Sequence, residues 1–182
     1  MICPPVLETN RLVLRAHTTD TLEPMAAMWA DPAVVRYIAG RPSTPRESWM
    51  RMLSYLGCWS VRGYGYWAIW SRESGRYIGD LGFADFHREI EPSIVGIPEA
   101  GWALASWAHG QGFATEALFA ALSWLDEQPG HGRSVCLIAP DNLASVRIAE
   151  KVGFHEPAPK SLGDRPVLLF SRPRGRGANR SA

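Results

Sequence analysis

Two glycines placed directly before an amphipathic helix constrain this chain more than any other feature. The segment 107–117 reads Trp-Ala-His-Gly-Gln-Gly-Phe-Ala-Thr-Glu-Ala, with Gly110 and Gly112 at its centre. Glycine adopts backbone angles closed to other residues and leaves no side chain in the way of a ligand. From Phe113 onward, apolar residues recur at helical spacing: Ala114, Ala117, Leu118, Ala121, Leu122 and Leu125. The free N–H groups and the positive dipole end of this helix meet at the turn, so we predict a phosphate or pyrophosphate site there.

The composition is that of one ordinary globular domain, which we place at residues 1–172. The chain has 182 residues, of which 46% are hydrophobic and 20% charged, enough for one core and too few for a second full domain. Residues 173–182 are rich in Gly and Arg and have no hydrophobic residue except Ala, which predicts a disordered tail. The net charge of +1 gives no reason to expect nucleic acid as a partner. Attachment through the tail arginines is the alternative, and it predicts salt-dependent association.

The cysteines and the apolar runs indicate a cytoplasmic protein. Cys3, Cys58 and Cys136 are odd in number and widely scattered, so they predict neither a disulfide framework nor a metal site. The first residues lack a basic segment followed by an apolar one, and no uncharged apolar run approaches the ~20 residues that span a bilayer. We therefore expect no membrane segment and no metal.

The hydrophobic pattern predicts six strands separated by helices. The strands are expected at 11–17, 64–71, 76–86, 99–105, 134–139 and 166–170, with Gly79 and Gly82 marking a close backbone approach or a bulge. Helices are expected from a capping-box-like start at Asp20, from Thr44-Pro45 to a stop at Gly57, over 113–127 and over 142–152. Hairpins followed by β-α-β-α-β predict an α/β (α+β) fold, a mixed sheet with helices on both faces.

Four motifs in order resemble the GNAT acetyltransferase superfamily. The segment His109-Gly-Gln-Gly-Phe-Ala114 matches the fourth and sixth positions of the family's Gln/Arg-x-x-Gly-x-Gly/Ala signature, with His in the first. The segments 99–104, 115–117 and 142–154 look like those of the ribosomal-protein N-terminal acetyltransferase (RimJ/RimL) branch. The resemblance implies a mostly antiparallel central sheet splayed between the fourth and fifth strands. The Rossmann and P-loop folds are poor alternatives, because the sequence has neither Gly-x-Gly-x-x-Gly after a strand nor Gly-Lys-Ser/Thr.

The resemblance implies acetyl-coenzyme A (acetyl-CoA), bound where the strand at 102–105 diverges from the one at 135–139. The two amides of pantetheine suit the unpaired edge of a splayed strand, much like an added strand. The implied contacts are Trp102, Ala103, Leu104 and Ala105 on that edge, and His109, Gly110, Gln111, Gly112, Phe113, Ala114 and Thr115 around the diphosphate. His109 is expected to hydrogen-bond the diphosphate or to brace the loop, and the hypothesis is that cofactor affinity weakens as the pH rises through its titration.

Acetyl transfer to an amine needs a positioned amine, a donor to the oxyanion and a proton for the leaving thiolate. Glu99 stands at a position that resembles the site of the general base in the family, where it could accept the amine proton through a water. The alternative is a solvated carboxylate at the end of a strand. Asp85, His87 and Tyr66 are further candidates, and a backbone N–H near Leu104 is the expected oxyanion donor. Cys136 is expected to be a core residue.

The helix that begins near 142 brings two further candidates. Asn142 is expected to cap this helix and also to bind the pantetheine arm. Ser145 resembles the family's hydroxyl near the cofactor sulfur, or it is a second capping group.

We therefore expect an N-acetyltransferase that acetylates a primary amine on a protein N-terminus or a small molecule by direct attack. The alternative is a non-catalytic acyl-CoA-binding module that keeps the phosphate site and lacks a competent base. A monomer and a homodimer leave the same sequence signals.

Overall fold

One eight-stranded sheet runs through the computed structural model, which describes residues 4–175. Its strands are β1 Leu7–Glu8, β2 Leu12–Arg15, β3 Tyr66–Ser71, β4 Tyr77–Ala84, β5 Glu99–Leu104, β6 Arg133–Ile138, β7 His155–Leu162 and β8 Arg165–Pro173. Their order is β1-β2-β3-β4-β5-β6-β8-β7. The β5–β6 pair is parallel and every other pair is antiparallel. The predicted mixed, mostly antiparallel sheet is confirmed.

Helices cover both faces of the sheet, as predicted. They are α1 Leu22–Trp29, α2 Pro32–Val35, α3 Pro45–Arg62, α4 Phe113–Glu127 and α5 Leu143–Lys151. The apolar stripe of α4 packs with buried residues of α5 on the face that carries Trp67, Leu81 and Phe83. The helices α1, α2 and α3 pack on the opposite face, against Tyr66 and Ala103. No helix within residues 4–175 is long and apolar enough to cross a bilayer.

The predicted helix ends are right where local capping sets them. Thr44 and Glu47 form a reciprocal capping box, with Pro45 as the first helical residue of α3. The predicted stop at Gly57 is wrong, because α3 runs on to Arg62 and ends at Gly63, whose φ is +75°.

The start predicted at Asp20 is also wrong, because Asp20 lies inside a short 3-10 turn. The N–H of Thr18 closes that turn by donating to Thr21 Oγ1 at 3.2 Å.

The hydrophobic pattern did not predict two of the strands, β1 and β7. The strand β1 has only two residues, and β7 is an edge strand that carries Pro157 and Pro159 and is exposed along most of its length. Proline cannot donate to a ladder, so β7 lacks the usual strand composition. Strand β8 extends beyond the predicted 166–170. Past its end, the N–H of Arg174 donates to Gly132 O at 2.9 Å and that of Gly175 to Asp126 Oδ1 at 3.0 Å. The rest of the predicted tail, 176–182, lies outside the described residues.

Gly79 and Gly82 sit where backbones approach closely, as predicted. A Cβ on Gly82 would collide with the carbonyl of Gly65, and one on Gly79 with the carbonyl of Ala103. The β3–β4 register shifts between Ile69 and Trp70, where Ile78 of β4 is the extra residue next to this tight pairing. The two glycines therefore allow β4 to lie close to its neighbours β3 and β5, and β4 pairs with β5 along its length.

Candidate active site

The sheet opens between β5 and β6, which are the fourth and fifth strands of the predicted count. The two strands meet only at Glu99 and Val135, where the Val135 N–H donates to Pro98 O at 3.0 Å. Further along β5 the N–H of Ala105 donates to Ile78 O, on the β4 side, at 2.8 Å. Backbone N–H groups alternate sides along a strand, so the N–H of Leu104 faces the gap. The gap is the V-shaped opening that the family resemblance implies.

The paired glycines form an array of free backbone donors. Gly110 and Gly112 have φ values of +73° and +80°, a region that glycine enters at little cost. The six N–H groups from Gly110 to Thr115 donate no hydrogen bond within residues 4–175, and α4 begins at Phe113. These donors and the helix dipole suit a diphosphate. We name residues 109–115 the cradle.

Side chains brace the cradle from both ends. The ring Nε2 of His109 lies 2.8 Å from Leu104 O, which ties the loop to the end of β5. Gln111 Nε2 donates to Trp107 O at 2.7 Å, and Arg11 Nη1 donates to Gln111 O at 3.0 Å. Of the two expected roles of His109, the loop brace is the contact present in this structure.

Glu116 ties the start of α4 to the β1–β2 turn. Its carboxylate accepts from Thr9 Oγ1 at 2.6 Å, from the Arg11 N–H at 2.9 Å and from Arg11 Nε at 2.7 Å. Burial by itself raises the pKa of Glu116, but these hydrogen bonds outweigh it and the pKa lies below the ordinary value. The ionised carboxylate therefore holds Arg11 beside the cradle.

Asn142 and Ser145 lie across the gap, at the start of α5. Asn142 Oδ1 accepts from the Ser145 N–H at 3.2 Å, which confirms the predicted cap. The amide nitrogen of Asn142 and the hydroxyl of Ser145 donate no hydrogen bond within the described part of the chain, and both residues line the open cleft. Each therefore keeps a donor available to a ligand.

Glu99 lies at the closed end of the gap and is paired with Arg88. Its side chain is only 7% exposed, and Arg88 donates to both oxygens, from Nε at 3.0 Å and from Nη2 at 2.8 Å. The expectation of a solvated strand-end carboxylate is wrong. Each carboxylate oxygen retains a second acceptor position, so Glu99 can still accept from a water or an amine.

Two stacked tyrosines line the same cleft as Glu99. The rings of Tyr66 and Tyr55 stack with centroids 4.1 Å apart and planes within 2°. The hydroxyl of Tyr66 fits over Gly101, where any Cβ would collide with it. Burial raises the pKa of Tyr66, so this phenol stays protonated at neutral pH and can orient a ligand without acting as a base.

The open cleft has a volume of about 430 Å³ and gathers several of the predicted residues. It is lined by Tyr66, Glu99, Trp102, Ala103, Asn142 and Ser145, among others. The indole N–H of Trp102 is buried there without a partner among residues 4–175.

Three other candidates do not line the cleft. Asp85 pairs with Arg62 at 2.8 Å, and the His87 side chain is 72% exposed. Cys136 is buried, which raises the pKa of its thiol, so it is a core residue as predicted.

Among the residues of the cleft wall that the sequence analysis missed are Trp29, Arg51, Tyr55 and Arg88. The helical spacing of Trp49, Met52, Leu53 and Leu56 predicts an apolar face for α3. The prediction is right at Met52 and wrong at Trp49 and Leu53, which are exposed; the buried residues of α3 are Ser48, Met52, Tyr55 and Trp59. Met52, Tyr55 and Trp59 recur at helical spacing, and this spacing could have predicted the buried face of α3. Arg88 lies in an irregular loop, where no periodicity points to its partner.

The fold and this site define an acyl-CoA-dependent acetyltransferase that acts on an amine. The Acetyltransferase (GNAT) domain family matches residues 11–155. The chain belongs to that family.

Relatives and solved structures agree with this assignment. The Bacillus subtilis (strain 168) protein YoaA, described as an uncharacterized N-acetyltransferase, is 30% identical over 156 residues, or 84% of each chain. A GnaT-family protein from Bordetella pertussis is 32% identical, with a TM-score of 0.82 over 93% of this chain and 99% of that one. A RimL structure, a ribosomal L7/L12 α-N-protein acetyltransferase in complex with coenzyme A, shares the fold at 17% identity, with a TM-score of 0.75 over 93% and 98% of the two chains. Acetyl-CoA is the cosubstrate of the family.

Proposed function

We propose that residues 99–145 carry the acetyl transfer, with the cradle as the diphosphate site and the β5 edge as the pantetheine site. The observation behind this proposal is the run of six N–H groups from Gly110 to Thr115 that have no partner within residues 4–175 and lie beside the open edge of β5. The edge residues Trp102 to Ala105 and the free amide nitrogen of Asn142 suit the amides of pantetheine. When bound, acetyl-CoA supplies the acetyl group as an activated thioester.

The proposed chemistry uses few side chains. The Leu104 N–H, which faces the gap, donates to the oxyanion that develops on the acetyl carbonyl. Glu99 accepts the proton of the attacking amine, directly or through a water. The hydroxyl of Ser145 donates to the leaving thiolate. Arg88 holds the Glu99 carboxylate in position from the side of the loop.

Substitution of Glu99 tests the base. Glu99→Gln keeps the size and one hydrogen bond to Arg88, so the protein should fold and bind CoA as before. We expect kcat for thiol release to fall by about 10²–10⁴-fold, with the Kd for CoA within about twofold of wild type. Exposed Glu150→Gln, on α5, is the matched control. An unchanged kcat in Glu99→Gln would show that Glu99 only positions Arg88.

A broad amine panel separates the transferase from a non-catalytic acyl-CoA-binding module. The protein is incubated with acetyl-CoA and amines of different charge, and free thiol is measured. Stabilisation of the protein by CoA without thiol release from any amine would favour the binding module.

We also propose that the chain lies near the ribosomal-protein N-terminal acetyltransferase (RimJ/RimL) branch and works in the cytoplasm. The support for the branch is the order of motifs at 99–104, 109–117 and 142–154. Monomer and homodimer both remain compatible with this proposal. Acetylation of a short peptide at its α-amine, followed by mass spectrometry, tests the branch.

A further inference from the structure

Arginines dominate the charged lining of the cleft on its acceptor side. The charged residues around the 430 Å³ cleft are Arg36, Arg51, Arg88, Arg165, Glu99 and Asp141. A neighbouring cleft of about 550 Å³ adds Arg41, Arg46 and Glu47 and shares Arg51. Together the clefts hold six arginines and three carboxylates, a surplus of three positive charges in a chain whose net charge is +1. The lining of the two clefts is therefore more positive than the chain as a whole.

Two of these arginines are neutralised by carboxylates. Arg88 is held by Glu99 and Arg41 by Glu47. The others, Arg36, Arg46, Arg51 and Arg165, have no carboxylate oxygen within 4.0 Å among residues 4–175. The cradle is not part of the lining of either cleft, so these cations are not needed for the diphosphate of the cofactor.

Arg51 is the most constrained of the unpaired cations. It projects from α3 into the wall that the two clefts share. Its guanidinium carbon lies 3.6 Å from the centroid of the Trp29 ring, and its Nε is buried without a hydrogen-bond partner in the described chain. Nη1 and Nη2 are not among the buried unpaired atoms of residues 4–175, so these terminal nitrogens, rather than Nε, are the donors open to a ligand carboxylate in the cleft. A guanidinium also suits a planar carboxylate through two parallel hydrogen bonds.

We propose that the amine acceptor carries a carboxylate, which Arg51 binds while the amine faces Glu99. The stacked rings of Tyr55 and Tyr66 line the same cleft as Arg51 and Glu99. This arrangement favours a flat or apolar group between the amine and the carboxylate. A polycationic amine would meet the arginine surplus and be repelled. The inference rests on the proposed function, because it names the class of acceptor for the same site.

A matched pair of acceptors tests the inference directly. 4-(Aminomethyl)benzoate and 4-(aminomethyl)benzamide differ only at the end remote from the amine, and 4-(aminomethyl)benzylamine places a cation there. We expect the benzoate to exceed the benzamide by about 10- to 100-fold in kcat/KM for thiol release and in affinity for the CoA-bound protein, measured by calorimetry. The C-terminally amidated dipeptides Ala-Asp-NH2 and Ala-Asn-NH2 differ only in the side-chain carboxylate, so a preference for the first would show that a peptide can supply the carboxylate.

Variants of Arg51 assign the effect. Arg51→Met should bring the benzoate-to-benzamide ratio of kcat/KM close to one, while Arg51→Lys should restore part of that ratio. Arg133→Met removes an exposed arginine outside both clefts and should keep the wild-type ratio. Thermal unfolding checks that the variants fold, since the Arg51 side chain packs on Trp29.

The outcomes separate the two proposals. Arg51-dependent binding of the benzoate without thiol release would support the acceptor class and contradict the transferase. Turnover of the benzamide or the diamine at least as fast as that of the benzoate would overturn the acceptor class and support the transferase. A benzoate preference that is unchanged in Arg51→Met would also overturn the role of Arg51.

Discussion

Replacing Glu116 by Gln tests whether the cradle is held in place by an ion pair from outside its own loop. The Glu116 carboxylate joins α4 to the β1–β2 turn through Thr9 and Arg11, and Arg11 in turn binds Gln111 O. Gln keeps the size and one acceptor oxygen, so Thr9 and the Arg11 N–H can remain bonded. Its amide nitrogen, however, then faces the Arg11 guanidinium, and no hydrogen bond forms because both groups are donors.

The expected loss follows from the burial of the pair. A hydrogen bond to a charged group contributes about 1.5–3 kcal/mol when it is shielded from water. Here the Glu116 side chain is 20% exposed and that of Arg11 is 49% exposed, and solvent screening lowers the contribution of an exposed partner. We expect Glu116→Gln to lower the free energy of unfolding by about 1–2 kcal/mol, or Tm by about 2–8 °C in a domain of this size.

The effect should depend on pH in one direction. The pKa of Glu116 in the folded protein lies below the ordinary value of 4.5. The stabilisation is therefore complete above about pH 5 and is lost as the pH falls through the folded-state pKa. Thermal unfolding at pH 7.5, 5.5 and 3.5 should show equal differences between wild type and variant at the first two values and a smaller one at the third. The Kd for CoA at pH 7.5 should rise by about 3- to 10-fold, because Arg11 no longer holds the cradle.

The control for this experiment is Glu127→Gln, on the last turn of the same helix. Glu127 is exposed and makes no ion pair within residues 4–175, so its substitution should stay within about 0.5 kcal/mol of wild type. Glu116→Gln with the stability and CoA affinity of Glu127→Gln would refute the reasoning, since the carboxylate would then contribute only its shape.

Three further substitutions test the site. Gly112→Asp puts a carboxylate into the cradle at a φ of +80°, and the Kd for CoA should rise by at least about tenfold; Gly130→Asp, at a φ of +93° outside the cradle, is the matched control, and equal affinity in both would contradict the cradle. Ser145→Ala removes the proposed donor to the thiolate, so kcat should fall by about 10- to 100-fold while CoA binding stays constant; an unchanged kcat would leave Ser145 as part of the helix cap. Cys136→Ala should keep kcat within about twofold of wild type, because the buried thiol, whose pKa is raised, is not a nucleophile; loss of turnover in a folded variant would argue against direct attack.

The features predicted correctly from the sequence are those set by short-range spacing. The bounds of α4, the cap at Asn142 and the positive φ of Gly110 and Gly112 all follow from residues within one or two helical turns. Main-chain donors do not depend on a side-chain partner elsewhere in the chain. For this reason the cradle was predictable before any contact was known.

The errors occur where distant residues decide the outcome. Gly57 lies inside α3 because the helix packs on the sheet beyond that point through Trp59, and this tertiary contact outweighs the low helix propensity of glycine. Strand β7 forms along β8 despite its prolines. The partner of Glu99 is Arg88, which comes from an irregular loop. None of these contacts leaves a periodic pattern in the sequence.

The proposed cofactor site and the proposed acceptor site differ in the same way, because the first depends mainly on the main chain and the second on side chains. Acetyl-CoA is expected to bind mainly the main chain of β5 and of the start of α4, where few side chains take part. The proposed acceptor site is formed by side chains from α3, from β5 and from β8, such as Arg51, Glu99 and Arg165, and each can change alone. An Arg51 variant should therefore change the choice of amine while its Kd for CoA stays at the wild-type value. Joint loss of both would mean that the acceptor wall and the cradle form one cooperative unit.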